Sequence, residues 1–201
     1  GMLEALGQGL PISPGTIVFR GNLATLAADG TLIDRRAGRI RSGVEDLLAE
    51  LTNVPLAHGL TGHIYPAHEH RVVVMLRGPE LSGAVGDTDP GSESTLRTIV
   101  APRPLDKEPS SARAAEALSQ LLDHAHRILS AHPHNAARRA RGEFSANCII
   151  TRGAHKVMEL PGGGSSERTA LVSACTTALG VARALGLEPA SSTLMTGNLD
   201  T

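Results

Sequence analysis

The apolar positions of this chain fall into two periods. Residues 16–26 form a β-branched, apolar-rich run interrupted at Gly21-Asn22, and Ala28-Asp29-Gly30 separates it from Thr31-Leu32-Ile33. Asp-Gly between two such runs predicts a hairpin, because both residues tolerate the positive φ of a tight turn. Residues 62–65 and 71–76 read as two further strands, the second apolar enough, with Val72, Val73, Val74 and Met75, to be central. Val44, Leu47, Leu48 and Leu51 recur at helical spacing behind Ser42-Gly43-Val44-Glu45, which reads as a capping box.

Residues 81–109 lose all period to Gly, Asp, Pro, Ser and Thr, the pattern of a long loop, and long ordered loops are usually functional. Ser110 or Ser111 then caps the longest predicted helix, whose stripe is Ala114, Ala117, Leu118, Leu121, Leu122, Ala125, Ile128 and Leu129. Pro133 opens a shorter helix through Arg141, closed by Gly142. Residues 146–151 predict a short buried strand, 161–166 a flexible connector and 170–174 another strand. Thr176 or Thr177 caps a last helix with the stripe Leu179, Ala182, Arg183 and Leu185, ended by Gly186. The sum is an α/β or α+β single layered domain: a mixed, largely antiparallel sheet of five or six strands with about four helices.

Composition narrows the function. The chain has 201 residues, enough for one domain with a real core, and that core must be aliphatic, since there are two Phe, one Tyr and no Trp. Scarce aromatics remove the stacking platforms that single-stranded nucleic acids need, and a net charge of -1 gives no global field for a polyanion, so no nucleic-acid partner is expected. Of the 19 basic residues only Lys107 and Lys156 are lysine. Cys148 and Cys175 lie far apart, each in or at the end of a predicted buried strand, and read as reduced core thiols. No run reaches the length of a membrane span and no signal segment opens the chain, so no membrane partner and a cytoplasmic location are expected.

The densest chemistry is Asp34-Arg35-Arg36-Ala37-Gly38-Arg39-Ile40-Arg41, four guanidiniums in eight residues leading into a predicted helix start. Such a cluster repels itself unless something anionic sits in it, and the planar Arg fork matches the paired oxygens of carboxylate and phosphate. His68-Glu69-His70-Arg71 places two His at i and i+2, a spacing that would share one strand face, but no third metal ligand has an obvious spacing. The same residues also read as a His and an Arg aimed at an anion. Asp87-Thr88-Asp89-Pro90 lacks the Glu and Gly positions of a calcium loop; its carboxylates orient neighbouring Arg side chains, accept from substrate hydroxyls, or form a plain Asx turn. Gly162-Gly163-Gly164-Ser165-Ser166 lacks the Lys of a phosphate loop, and no Ser or Cys stands in a nucleophile motif. Arg138, Arg139 and Arg141 read as solvated helix surface.

Six motifs in one order carry a resemblance. They are Phe19-Arg20-Gly21-Asn22-Leu23-Ala24-Thr25, the run from Asp34 to Ile40, Glu69-His70-Arg71, Asp87-Thr88-Asp89-Pro90, His132-Pro133-x-Asn135 and Ala146-Asn147-x-Ile149-x-Thr151-Arg152-Gly153. Together they resemble the archaeal-type, cofactor-independent phosphoglycerate mutases of the alkaline-phosphatase superfamily, over essentially the whole chain. In that family a substrate-binding domain is inserted into a metal-binding phosphatase-like domain, and residues 3–201 resemble the insert alone. Gly21 stands where a bulkier residue is common, and Pro90-Gly91 where Pro-His is common.

The resemblance implies a role. Family members bind 3-phosphoglycerate between domains, a metal-activated serine takes the phosphoryl group, and the glycerate receives it back on the other hydroxyl. The insert holds the substrate and closes over it. By position the expected grip is Arg20, Asp34, Arg35, Arg36, Arg39, His70, Arg71 and Arg152, supported by Asn22, Asp87, Asp89 and Asn147. No catalytic residue, metal ligand or cofactor is expected in this chain. Two divalent ions (Mn, Mg or Zn) are expected in a catalytic domain supplied in cis or in trans, and the isolated chain is expected to be inactive. A related phosphotransferase such as a homoserine kinase, and a freestanding anion-binding module, are the alternatives.

Overall fold

The computed structural model describes residues 1–91, 98–158, 170–173 and 175–190. Its spine is β1 (Ile17–Leu26), which pairs antiparallel with β5 (Arg71–Arg77) on one side and β6 (Cys148–Lys156) on the other. Beyond Asn22, where β5 ends, β2 (Leu32–Asp34) takes over against β1 through the Asp29-Gly30 turn. β4 (Thr61–Pro66) and the two-residue β3 (Val54–Pro55) complete a curled, wholly antiparallel sheet. The β1 run is continuous through Gly21-Asn22. Gly21 is tolerated there because a Cβ at that position would sit 2.7 Å from Val72 Cγ2, so the missing side chain is what lets β5 close up.

Period-two alternation sorts the sheet into two unlike faces. Ile17, Phe19 and Leu23 of β1, Val72, Val74 and Leu76 of β5, and Ile149 of β6 face the main core. There they meet Leu118, Leu121, Ala125 and Leu129 of α3 (Pro109–Ala131), and Val44, Leu47 and Leu48 of α2 (Val44–Leu48). Each such fully buried aliphatic side chain contributes about 1.5–3 kcal/mol, so this face holds the fold together. The other face carries two small apolar clusters, one around Val18, Val73 and Met75, the other around Ala24, Cys148 and Ile150. Between them the strands present Arg20 and Asn22, Arg71 and Arg152, a polar band in the middle of a sheet.

α4 (Pro133–Ala140) turns back from α3, and Asn135 pins that corner to the strand beyond. Its fully buried amide donates to the Leu129 and Ala146 carbonyls at 2.7 and 2.9 Å and accepts from Ala146 N at 2.8 Å. The His132-Pro133-x-Asn135 motif is therefore a corner clamp. A satellite unit of α1 (Met2–Gln8), α5 (Thr176–Ala184) and the parallel pair β7 (Ala170–Val172) and β8 (Glu188–Ala190) packs beside the sheet. Two glycines let its helices touch: a Cβ on Gly7 would overlap the Thr176 carbonyl, and one on Gly180 that of Leu3.

Several local expectations change. The described residues hold five α-helices, because the short α1 gains its stability from docking on α5 and not from a periodic stripe. Gly43, left-handed at φ 73, precedes α2 without any side-chain cap, and Glu108 with Pro109 opens α3 ahead of both serines. Cys175 is exposed at the start of α5 and not buried in a strand. The 161–166 connector lies outside the described residues. Among the described residues no helix is long and apolar enough to cross a membrane.

Candidate functional site

Arg20 and Asn22 lie two apart on β1 and so share a face, opposite Arg152 of β6 and Arg71 of β5 respectively. Four polar side chains on one face of the sheet thus come together through strand register alone. The band forms the floor of a cleft of about 500 Å³ lined by Arg20, Asn22, Arg35, Arg36, Arg39, Glu69, His70, Arg71, Asp87, Asp89, Gly91 and Arg152. Ten of the twelve expected residues converge there. Six guanidiniums face three carboxylates, so the cleft carries a local cationic excess in a chain that is nearly neutral overall.

The loop after β2 forms one wall. Asp34 does not line the cleft; its Oδ1 accepts from Arg36 N at 2.7 Å and Gly38 N at 3.0 Å, an Asx-type brace. Ala37, Gly38 and Arg39 then run through φ values of 46, 64 and 56, three consecutive left-handed residues. Only a tightly held loop keeps two non-glycine residues there, at a cost of about 1–3 kcal/mol each. The hold comes from Ala37 and Ile40, both buried in the core, and from Arg138. Against expectation Arg138 is buried: Nε donates to the Phe144 carbonyl at 2.8 Å, Nη2 to the Ala37 carbonyl at 3.2 Å, and Nη1 pairs with Glu143 at 3.1 Å.

A second wall is the start of the long loop. Thr88 N and Asp89 N donate to the Thr151 carbonyl, and Thr151 N returns a bond to Thr88 Oγ1 at 2.7 Å, stitching the loop to the outer edge of β6. This places Asp89 for a pair with Arg35, whose Nε donates at 2.9 Å and Nη2 at 2.6 Å. Asp87 lines the cleft with Oδ1 engaged by Gly153 N at 2.8 Å. Gly91, at φ 88, donates its N–H to Asp89 Oδ1 and has open space where a side chain would project. Asn147 falls outside the cleft. Its amide pairs with both the N–H and the carbonyl of Leu26, pinning the end of β1 to the start of β6.

Two buried nitrogens at the cleft are incompletely paired. Arg20 lies 3.4 Å from Glu4 of α1, yet its Nε makes no hydrogen bond among the described residues. Burial, then the nearby Arg152 and Arg71, hold its pKa below the usual guanidinium value, which Glu4 partly offsets. His70 is 6% exposed, and its Nδ1 has no hydrogen-bond partner among the described residues. Burial, with Arg71, Arg36 and Arg39 close by, pushes its pKa down against the pull of Glu69. Glu69, left-handed at φ 56, also pairs with Arg41 at 2.9 Å. Glu4 and Glu69 were not expected at the site: only the docking of α1 and the fold-back before β5 bring them in. His68 stays exposed while His70 turns inward, so the two do not converge. Among the described residues no group of three or more His, Cys, Asp or Glu is placed to hold a metal ion.

The sequence profile of a family described as 2,3-bisphosphoglycerate-independent phosphoglycerate mutase matches residues 1–135. An enzyme of that name from Sulfurisphaera tokodaii is 34% identical over 204 residues, covering 100% of this chain and 49% of its own length. Another, from Methanothermobacter thermautotrophicus, is 37% identical over 188 residues, covering 92% of this chain and 45% of its own. The solved structure of a cofactor-independent phosphoglycerate mutase from Thermoplasma acidophilum superposes with a TM-score of 0.74 at 35% identity, over 96% of this chain and 51% of that one. The chain therefore spans about half the length of the relatives it matches. On profile, identity and fold together, the chain belongs to the 2,3-bisphosphoglycerate-independent phosphoglycerate mutase family.

Proposed function

We propose that residues 3–201 are the substrate-binding domain of a phosphoglycerate mutase-like enzyme of the alkaline-phosphatase superfamily, acting in the cytoplasm on 3- and 2-phosphoglycerate. A phosphatase-like domain, in cis or in trans, holds the metals and the nucleophile. The observation that carries this reading is the convergence of six guanidiniums from four separate chain segments on one cleft. Arg36, Arg39, Arg71 and Arg152 make no side-chain hydrogen bond or ion pair among the described residues, which leaves their forks for an incoming carboxylate and phosphate. Asp87 keeps one carboxylate oxygen for a substrate hydroxyl, and Arg35, already satisfied by Asp89, acts as a fixed wall. The domain binds and orients the acid and keeps water from it; it supplies no nucleophile.

Calorimetric titration of the purified chain tests this. 3-Phosphoglycerate binds, more weakly as salt rises, and Arg36→Ala lowers the affinity about tenfold, the value of one charge-assisted hydrogen bond. With added Mn or Mg the chain does not interconvert the two phosphoglycerates. Affinity unchanged by Arg36→Ala overturns the assigned grip. Equal binding of inorganic phosphate assigns a generic anion module, and stronger binding of homoserine or its phosphate assigns the phosphotransferase reading.

A further inference from the structure

Arg138 sits on a helix far along the chain from the arginine loop, yet it is buried with its guanidinium divided among three acceptors. A buried Arg is costly unless each donor direction is met, and a solvated helix face would hold it more cheaply. Here Nη2 meets Ala37 O at 3.2 Å, Nε meets Phe144 O at 2.8 Å, and Nη1 meets Glu143 Oε2 at 3.1 Å. Ala37 is the first of the three left-handed residues, and Arg39 is the last. Phe144 closes the other side: a Cβ on Gly38 would stand 3.2 Å from its ring. The turn is thus fixed at its N-terminal end by the Asp34 carboxylate and underneath by Arg138, and the side chains it projects into the cleft are Arg36 and Arg39.

We infer that Arg138 is a positioning residue of the anion cleft: it contacts no ligand, and it holds the Ala37–Arg39 turn in the left-handed form that aims Arg36 and Arg39. This rests on the cleft being the phosphoglycerate site. Two non-glycine residues in the left-handed region relax to ordinary backbone once their restraint is removed, and a relaxation of that kind swings the attached side chains. Charge alone does not achieve this. A lysine in place of Arg138 would carry the charge but could not span the Ala37 and Phe144 carbonyls at once, because the ammonium is a point donor and the guanidinium a planar fork.

Arg138→Lys and Arg138→Met test it, with Glu143→Ala as the control that removes the ion pair but not the loop bond. Amide hydrogen exchange at Gly38 and Arg39 is read first, without ligand, and 3-phosphoglycerate affinity second. Exchange at these two amides is expected to rise about tenfold or more in both Arg138 variants, affinity to fall about tenfold in both, and Glu143→Ala to change neither by more than about twofold. Exchange confined to wild-type levels in Arg138→Lys overturns the inference, since charge then suffices. Raised exchange with unchanged affinity also overturns it, because the turn then does not aim the grip. Failure of the wild-type chain to bind 3-phosphoglycerate overturns the substrate reading and the cleft role together. The exchange result then separates a loop brace from a mere surface pair.

Discussion

Arg20 and Arg152 stand directly opposite each other on antiparallel β1 and β6, two like charges on one face of the sheet. Such a pair opposes folding, because cross-strand neighbours lie close enough for their charges to repel. Glu4 compensates Arg20 at 3.4 Å, while Arg152 is exposed on the edge of the cleft. Arg152→Thr is expected to raise stability by about 0.5–1 kcal/mol and to weaken phosphoglycerate binding, the trade-off of a site that keeps uncompensated charge for a ligand. Urea unfolding beside calorimetry measures both. A variant that loses stability and keeps its affinity contradicts the assignment.

Asp89 is the hinge between the long loop and the arginine loop. Its side chain is 4% exposed and accepts from Arg35 and from Gly91 N. Asp89→Asn leaves Arg35 without its countercharge, and the loss is expected to be about 2 kcal/mol in urea unfolding. Chemical shifts at Thr88 and Thr151 should move with it, since the same loop is stitched there.

Stability should depend on pH through two buried histidines. His70 and His63 both have lowered folded-state pKa values, His70 by burial and then Arg71, His63 by burial and then Arg77. The unfolded chain, with an ordinary value of 6.5, therefore takes up protons first. Stability rises with pH between the folded and unfolded values, is full above 6.5, and falls as pH drops through it. His70→Asn should flatten part of this dependence in urea midpoints taken across that range. A bound anion lowers the cost of a charged His70, so phosphoglycerate should bind with proton uptake. Calorimetry in buffers of different ionisation enthalpy detects that uptake.

The thiols should separate cleanly. Burial pushes Cys148 up to about 12, whereas Cys175 is exposed and lowered by the N–H groups of Ala178 and Thr177 at the start of α5. Near pH 8 an aromatic disulfide reagent is expected to modify one thiol in the native protein and two after denaturation. Cys175→Ser should abolish the native reaction.

Local pattern made most of the sheet legible. The Asp29-Gly30 hairpin, the Val72 to Met75 strand and the α3 stripe all follow from period and turn chemistry. Ten of the expected site residues meet because they belong to strands whose register is set by the buried face, or to the loops those strands anchor. The exceptions share one cause. Asp34 and Asn147 carry site-like chemistry but bond to nearby backbone, and Arg138 looks solvated on its own helix yet is claimed by a loop 101 residues away. Glu4 and Glu69 enter the site through tertiary docking and a positive-φ turn. Short polar segments say which groups are present; only packing decides whether a given group faces ligand, backbone or core.

On the proposed function the arginine cleft itself holds phosphoglycerate. Titration of 3-phosphoglycerate into the ¹⁵N-labelled chain, followed at the arginine Nε–H signals, addresses it most directly. Saturable shifts are expected at Arg36, Arg39, Arg71, Arg152 and Arg20, with little change at Arg138, Arg113 or Arg183. Shifts spread evenly over all arginines, or absent from the cleft set while binding is measured, would contradict it.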